Sequence, residues 1–169
     1  MSKIVVVYHS GYGHTKLQAE AVARGAEADL MSVDSIDFAK LDAADAIIFG
    51  APTYMGSVSA QFKKFMDETS KSWFEQKWKN KIAGGFTNGA GMSGDKLNTL
   101  VQISVFAGQH GMIWVGMGSN PNDRFGCGIG AMAQSDNAAA TEGVNPPKQD
   151  LILAESYGKR IAEITNKFK

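Results

Sequence analysis

Apolar residues fall along this chain in short unbroken runs, separated by stretches whose apolar positions recur at helical spacing. Residues 4–7 (IVVV) form one run and residues 46–50 (AIIFG) a second. A half-exposed strand would alternate apolar with polar positions, so continuous runs of this length read as strands buried on both faces. Weaker strand signals lie at 30–33, at 81–86, where Gly84 and Gly85 interrupt the run, and at 112–117, which reads as the last strand. Helical spacing follows the first two runs and the 81–86 candidate, and returns near the end of the chain. Leu17, Ala21, Val22 and Ala26 predict a helix over 15–28, and Val58, Phe62 and Phe65 or Met66 a second. Leu97, Leu100, Val101 and Val105 give the buried stripe of a third, with Asp95 as its cap, ending near Gln109. Leu151, Ala154, Tyr157, Ile161, Ile164 and Phe168 mark a closing helix over 148–167.

Strands alternating with helices predict an α/β fold, a parallel sheet covered on both faces, in a single domain spanning 1–169. Ligands in such sheets sit at the carboxyl ends of the strands, near the switch in strand order. Three of the strand candidates run into clusters of small and polar residues: 10–15 (SGYGHT), 51–56 (APTYMG) and 87–91 (TNGAG). All three should emerge on one edge.

The first cluster is the most telling. A buried strand that stops in a glycine-containing loop and passes straight into a helix aims several N–H groups, and the positive end of the helix dipole, at one point. The Ser10 and Thr15 hydroxyls add donors. The loop lacks the Gly-Lys-Ser/Thr ending of a nucleoside-triphosphate site, and Lys16 stands where the third glycine of GxGxxG would fall. A single phosphate monoester held by N–H and O–H groups fits better than a pyrophosphate; an ordinary strand-to-helix turn is the alternative.

Composition narrows the class. With 17 basic and 17 acidic residues the formal charge is zero, so no overall field draws the chain to nucleic acid or an anionic membrane. One cysteine, Cys127, leaves no internal disulfide and has no adjacent base to make it a nucleophile. No stretch approaches the roughly 18 apolar residues of a membrane span, and the amino terminus lacks a signal-peptide pattern, so a soluble, cytoplasmic protein is expected. No His, Cys and carboxylate cluster has metal spacing, and no nucleophile elbow is present. Residues 118–147, rich in Gly, Ala, Ser, Asn and Pro, are too long for an ordinary loop and read as a cover over the same edge, a subunit contact or a disordered segment.

The three clusters together with QHGMIWVGMG at 109–118 resemble the flavodoxin-like fold. They are most similar to the tryptophan-repressor-binding-protein type of NAD(P)H:quinone oxidoreductase and to the short NADPH-dependent FMN-reductase-like flavoproteins. The resemblance implies a three-layer sandwich with a five-stranded parallel sheet in the order 2-1-3-4-5, FMN as cofactor, and NADH or NADPH as reductant. It also implies a quinone or similar small acceptor, reduced by two-electron, ping-pong hydride transfer. On these positions Ser10, Tyr12, Gly13, His14 and Thr15 would hold the FMN phosphate. Pro52, Thr53, Tyr54, Met55 and Gly56 would pass along the ring and ribityl chain, and Thr87, Asn88, Gly89, Ala90 and Gly91 would border its other side.

Tyr12, Trp73 and His110 are the substrate-facing candidates, with His110 the one side chain that could take part in catalysis. His110 matches a ring-facing histidine that often comes from a neighbouring subunit or the pocket wall, and a homodimer or homotetramer is expected. Structural readings stand beside these: His14 as a helix cap, His110 as a helix-terminal histidine favoured by the dipole, Trp73 as a core aromatic. The chain departs from the longer quinone reductases by carrying Tyr54 and Met55 where Arg and Phe are common, and by its short 33–45 segment. A flavodoxin that carries single electrons between proteins is the alternative; such carriers are usually acidic, which zero net charge does not favour. No arginine pocket for a ribose phosphate separates NADPH from NADH.

Overall fold

The structure, a computed structural model, describes residues 2–168. Its strands are β1 Ile4–Tyr8, β2 Asp29–Ser32, β3 Ala46–Tyr54, β4 Ser57–Val58, β5 Ile82–Gly89, β6 Ile113–Trp114 and β7 Ala131–Gln134. The helices are α1 His14–Ala26, α2 Phe38–Asp42, α3 Ala60–Glu68, α4 Ser70–Phe74, α5 Gly94–Gln109 and α6 Lys148–Lys167, with a 3-10 turn at Val33–Ser35. The sheet runs β2-β1-β3-β5-β6, all parallel, while β4 folds back on β3 as a hairpin and β7 pairs in parallel with β5. The expected order 2-1-3-4-5 holds once β6 and β7 are seen as two halves of one fifth strand.

That split is the main difference from the sequence reading. The 112–117 run supplies only Ile113–Trp114, paired with Ile82 and Ala83. Val115 N–H still reaches the Ala83 carbonyl (2.8 Å); residues 116–130 then leave the sheet, with Met117 N–H on the Gly128 carbonyl (2.8 Å) across the base of the excursion, and the strand resumes at Ala131 opposite Phe86. Gly84 and Gly85 lie opposite the gap and do not break β5. Tyr157 of α6 stands in for the missing strand: its hydroxyl donates to the Val115 carbonyl (2.6 Å) and accepts from Gly85 N–H (3.1 Å). A Cβ on Gly84 would lie 2.7 Å from that hydroxyl, so the glycine makes room for the tyrosine. The 118–147 segment is thus ordered sheet and loop.

Continuous apolar strands bury both faces, as the pattern requires. Ile4 and Val6 face one way, with Val22, Ala26, Ile48, Leu153 and Ile161 beneath α1 and α6. Val5 and Val7 face the other, with Ile47, Phe49, Phe62, Phe65, Trp78 and Phe106 beneath α3 and α5. The stripe expected on α5 is a second correction. Leu97, Val101 and Val105 are exposed, and the inward face carries Lys96, Thr99, Leu100, Ile103, Phe106 and Ala107. Asp95 lies in the first turn and accepts from Lys96 N–H (2.9 Å), while Ser93 holds the cap position. β1, β3, β5 and β7 all end on one edge, and the loops that matter meet there.

Candidate functional site

The first loop is built around one hydroxyl. Ser10 Oγ accepts the N–H groups of Gly13 and Lys16, each at 3.1 Å, which bends residues 10–13 over the start of α1 and leaves the Ser10 hydrogen free to donate. Gly13 takes φ 92°, a conformation that favours glycine. The first turn of a helix has N–H groups without intrahelical acceptors. Among the described residues no protein acceptor reaches those of His14 and Thr15. The loop is therefore a set of unspent donors at a positive helix end.

His14 is held from the far end of the chain. Its Nε2 lies 2.8 Å from the Ala138 carbonyl and 3.1 Å from Asn145 Nδ2. The two Asn145 hydrogens go to Asp136 Oδ1 and the Ala138 carbonyl, each at 2.9 Å, so Nε2 is the protonated nitrogen and donates to Ala138. Asn145 Oδ1 also accepts from Asp136 N–H (3.1 Å). One asparagine thus folds residues 136–145 against the first loop.

The second loop is a two-residue hairpin in which Met55 (φ 50°) and Gly56 (φ 76°) both adopt positive φ, the signature of a type I′ turn. Asn98 Nδ2 of α5 donates to the Gly56 carbonyl (2.6 Å), and Gln102 Oε1 accepts from Ser57 Oγ (2.8 Å), so the helix fixes the hairpin. Met55 is fully exposed at the tip. Tyr54 leans on Tyr12 edge to face, with ring centroids 6.3 Å apart, and its hydroxyl lies against the Gly11 backbone. Burial pushes the Tyr54 phenol above its ordinary value, Tyr12 adds to this, and the Gly11 backbone opposes it.

In the third loop Asn88 Nδ2 donates to Ser135 Oγ (3.0 Å). Thr87 is wholly buried, its hydroxyl donating to the Ala51 carbonyl (2.7 Å) and lying 2.8 Å from that of Thr53. Lys96, buried beneath the loop, points its ammonium at the carbonyls of Gly89, Gly91 and Ala133.

These loops surround a cavity of about 520 Å³. Ser10, Tyr12, His14 and Thr15 line one end; Pro52, Thr53 and Tyr54 line one wall and Asn88, Gly89 and Ala90 the other. Gly13, Met55, Gly56, Thr87 and Gly91 shape the backbone around it without lining it. Residues 135–139 complete the wall, and the sequence reading did not single them out. The signal was weak: a Ser-Asp-Asn step in a Gly/Ala-rich segment gains meaning only through Asn145, His14 and Asn88, all distant in sequence.

Trp73 and His110 are not brought to this cavity. Both line a separate groove of about 540 Å³ between α3, α4 and α5. His110 is buried, stacked on Trp78 (centroids 4.3 Å apart), with Phe106 against its edge. Thr69 Oγ1 gives its own hydrogen to the Met66 carbonyl (2.7 Å), so His110 Nε2 donates to Thr69 (2.9 Å) and Nδ1 carries the lone pair. Burial pushes this imidazole down to about 4, with Asp42 opposing weakly. Among the described residues no cluster of His, Cys, Asp and Glu could hold a metal ion.

Comparison with known proteins agrees with this fold. Residues 37–121 match the family model described as NADPH-dependent FMN reductase. The chain is 45% identical to Flavodoxin FldP of Pseudomonas aeruginosa, over 97% of each chain. It is 32% identical to NAD(P)H dehydrogenase (quinone) of Archaeoglobus fulgidus, over 99% of each. Among solved structures, the WrbA-like flavodoxin from Agrobacterium tumefaciens superposes with a TM-score of 0.85 at 51% identity, covering all of both chains. An archaeal flavodoxin follows with 0.70 at 25% identity, covering 97% of this chain and 99% of its own. With a family model matched over half its length and full-length relatives above 30% identity, the chain belongs to the NADPH-dependent FMN reductase family of flavodoxin-like oxidoreductases.

Proposed function

We propose that the cavity holds FMN and that the protein passes electrons from NADH or NADPH to a quinone or similar flat acceptor, two at a time. The residues fit the cofactor. A phosphate monoester matches the donor set of the first loop: N–H groups of His14 and Thr15, the Ser10 and Thr15 hydroxyls, and no lysine or arginine in the cavity wall. Pro52, Thr53 and Tyr54 face Asn88, Gly89 and Ala90 across a slot whose glycines let a ring approach backbone closely. FMN bound there supplies reversible transfer of one or two electrons. The protein's part is to hold the phosphate, clamp the ring between two loops and keep its outer face open.

That open face carries the reading. Tyr12 is 78% exposed and Met55 wholly so, while Tyr54 is partly exposed beside Tyr12. Two aromatic rings left partly open at the cavity wall, with Met55 on the neighbouring hairpin tip, suit nicotinamide and then an aromatic acceptor, taken in turn at one place. Of the substrate-facing candidates, Tyr12 stands at the mouth. Trp73 and His110 would serve a site only across an interface, and a homodimer or homotetramer is part of the proposal. His110, already committed to Thr69 and Trp78, serves the core of its own chain.

The test is anaerobic. Protein loaded with FMN and freed of excess should bleach with NADH or NADPH and recover its spectrum on adding benzoquinone. A bound flavin that nicotinamide leaves oxidised would overturn the reductase.

One observation favours a second reading, a one-electron carrier between proteins: the relative at 45% identity is named a flavodoxin. Potentiometric titration separates the two, since a carrier shows two resolved one-electron steps and the reductase a single two-electron step. Light scattering reads the oligomeric state.

A further inference from the structure

Lys96 is the most deeply buried cation among the described residues, with no solvent exposure. A buried ammonium needs three acceptors for its three hydrogens, and it has them: the carbonyls of Gly91 (2.6 Å), Ala133 (3.0 Å) and Gly89 (3.2 Å). The carbonyl between, that of Ala90, accepts from Gln134 Nε2 (2.9 Å). Three consecutive carbonyls of the third loop are therefore all turned to protein donors. In a trans peptide the N–H points opposite to the C=O. The N–H groups of Ala90, Gly91 and Met92 are accordingly turned away from Lys96 and Gln134, in a loop whose Gly89 and Ala90 line the cavity. None of the three has a protein acceptor among the described residues.

The support continues outward. Arg124 Nη1 donates to Gln134 Oε1 (3.0 Å), and Arg124 pairs in bidentate fashion with Asp150 (2.8 and 2.7 Å), which also accepts Gln134 N–H (2.9 Å). Phe125 lies between the two cations, its ring centre 4.8 Å from Lys96 Nζ and 4.3 Å from Arg124 Cζ. Arg124 and Phe125 belong to the excursion that splits the fifth strand. The excursion thus serves to brace the third loop.

Resting on the FMN reading above, we infer that Lys96 is a positioning residue for the cofactor. By drawing the Gly89 and Gly91 carbonyls inward it presents consecutive N–H donors to the electron-rich edge of the ring, and its charge behind them favours the reduced, more negative ring over the oxidised one. Gln134 shares the positioning and carries no charge. Burial pushes the Lys96 ammonium down to about 8, opposed by Asp95 and Asp150 and reinforced by Arg124, so the charge is present at neutral pH.

The experiment compares apoprotein of wild type, Lys96→Met and Gln134→Met in FMN titrations followed by fluorescence, then the two-electron potential of each loaded protein. Both variants should bind FMN at least tenfold more weakly. Only Lys96→Met should also lower the potential, by about 30 mV for a tenfold loss of preference for the reduced form. Wild-type affinity in both variants, or equal potentials in the three proteins, would overturn the inference. If Lys96→Met does not fold, Gln134→Met decides alone: unaltered FMN affinity refutes the positioning. Failure of wild type to bind FMN would instead sink the reading beneath it.

Discussion

His110 stacks on Trp78 with ring centroids 4.3 Å apart, and its second nitrogen has no partner among the described residues in the buried space between α3 and α5. Such an imidazole is kept neutral. Unfolded, it titrates near 6.5; folded, near 4, so between these values the unfolded chain binds the extra proton. The contribution to stability is therefore fully present above pH 6.5 and is lost as pH falls toward 4. At 1.36 kcal/mol per unit the gap amounts to about 3 kcal/mol. Urea midpoints measured from pH 7.5 to 4.5 should fall more steeply for wild type than for His110→Phe, which keeps the stack and cannot titrate. Parallel curves would show that this histidine does not sense pH.

Tyr54 joins two loops that the chain places far apart. Its hydroxyl lies against the Gly11 backbone while its ring rests on Tyr12. Tyr54→Phe removes that polar contact and leaves the ring pair, a loss of about 0.5–1.5 kcal/mol. The melting temperature of the apoprotein should fall by about 1–6 °C and FMN affinity by roughly 2–10-fold. A larger fall in stability than in affinity would assign the contact to the fold and not to the site.

Helices α1 and α6 touch backbone to backbone. A Cβ on Gly158 would stand 2.0 Å from the Val22 carbonyl, and one on Gly25 at 1.9 Å from that of Glu155. Gly158→Ala should cost about 1–3 kcal/mol by forcing the helices apart. Gly108 sits in α5 with nothing within 4 Å, so Gly108→Ala should stabilise by about 0.5–1 kcal/mol through helix propensity. Thermal melts of the pair should move in opposite directions; equal shifts would rule out the packing account.

What the sequence made legible follows the same physics. Residues 4–7 and 46–50 announce themselves because strands buried on both faces need unbroken apolar runs. The three loops are visible because turns and close approaches select Gly, Ser, Thr and Asn locally. The fifth strand was half legible: the 112–117 run marks Ile113–Trp114, whereas Ala131–Gln134 owes its place to pairing with β5, far away in sequence. On α5, Leu97, Val101 and Val105 imitate a buried stripe while Lys96 takes the inside, because three carbonyls brought from elsewhere satisfy its charge. Local pattern finds elements whose reasons are local. The 135–139 wall and the placement of His110 depend on partners up to 131 residues away in the first case and on a buried aromatic cluster in the second.

Asp150 tests how far the long excursion depends on a single anchor. It is 1% exposed at the start of α6, accepts both arms of Arg124 and takes Gln134 N–H from β7. Asp150→Asn removes the charge and replaces an acceptor oxygen by a donor facing Arg124 or Gln134, so at least one of these bonds becomes a clash of donors. Breaking one side of a buried pair costs about 3–5 kcal/mol, and the lower figure applies because Arg124 keeps a quarter of its side chain in water. The loss should be uneven. Residues 115–134 should gain hydrogen exchange first, while β1 and β3, which lie on the other side of β5 from β7, stay protected until global unfolding. Protection that falls equally in β1 and β7 would mean that the excursion and the sheet unfold as one unit, and that Asp150 anchors the whole domain.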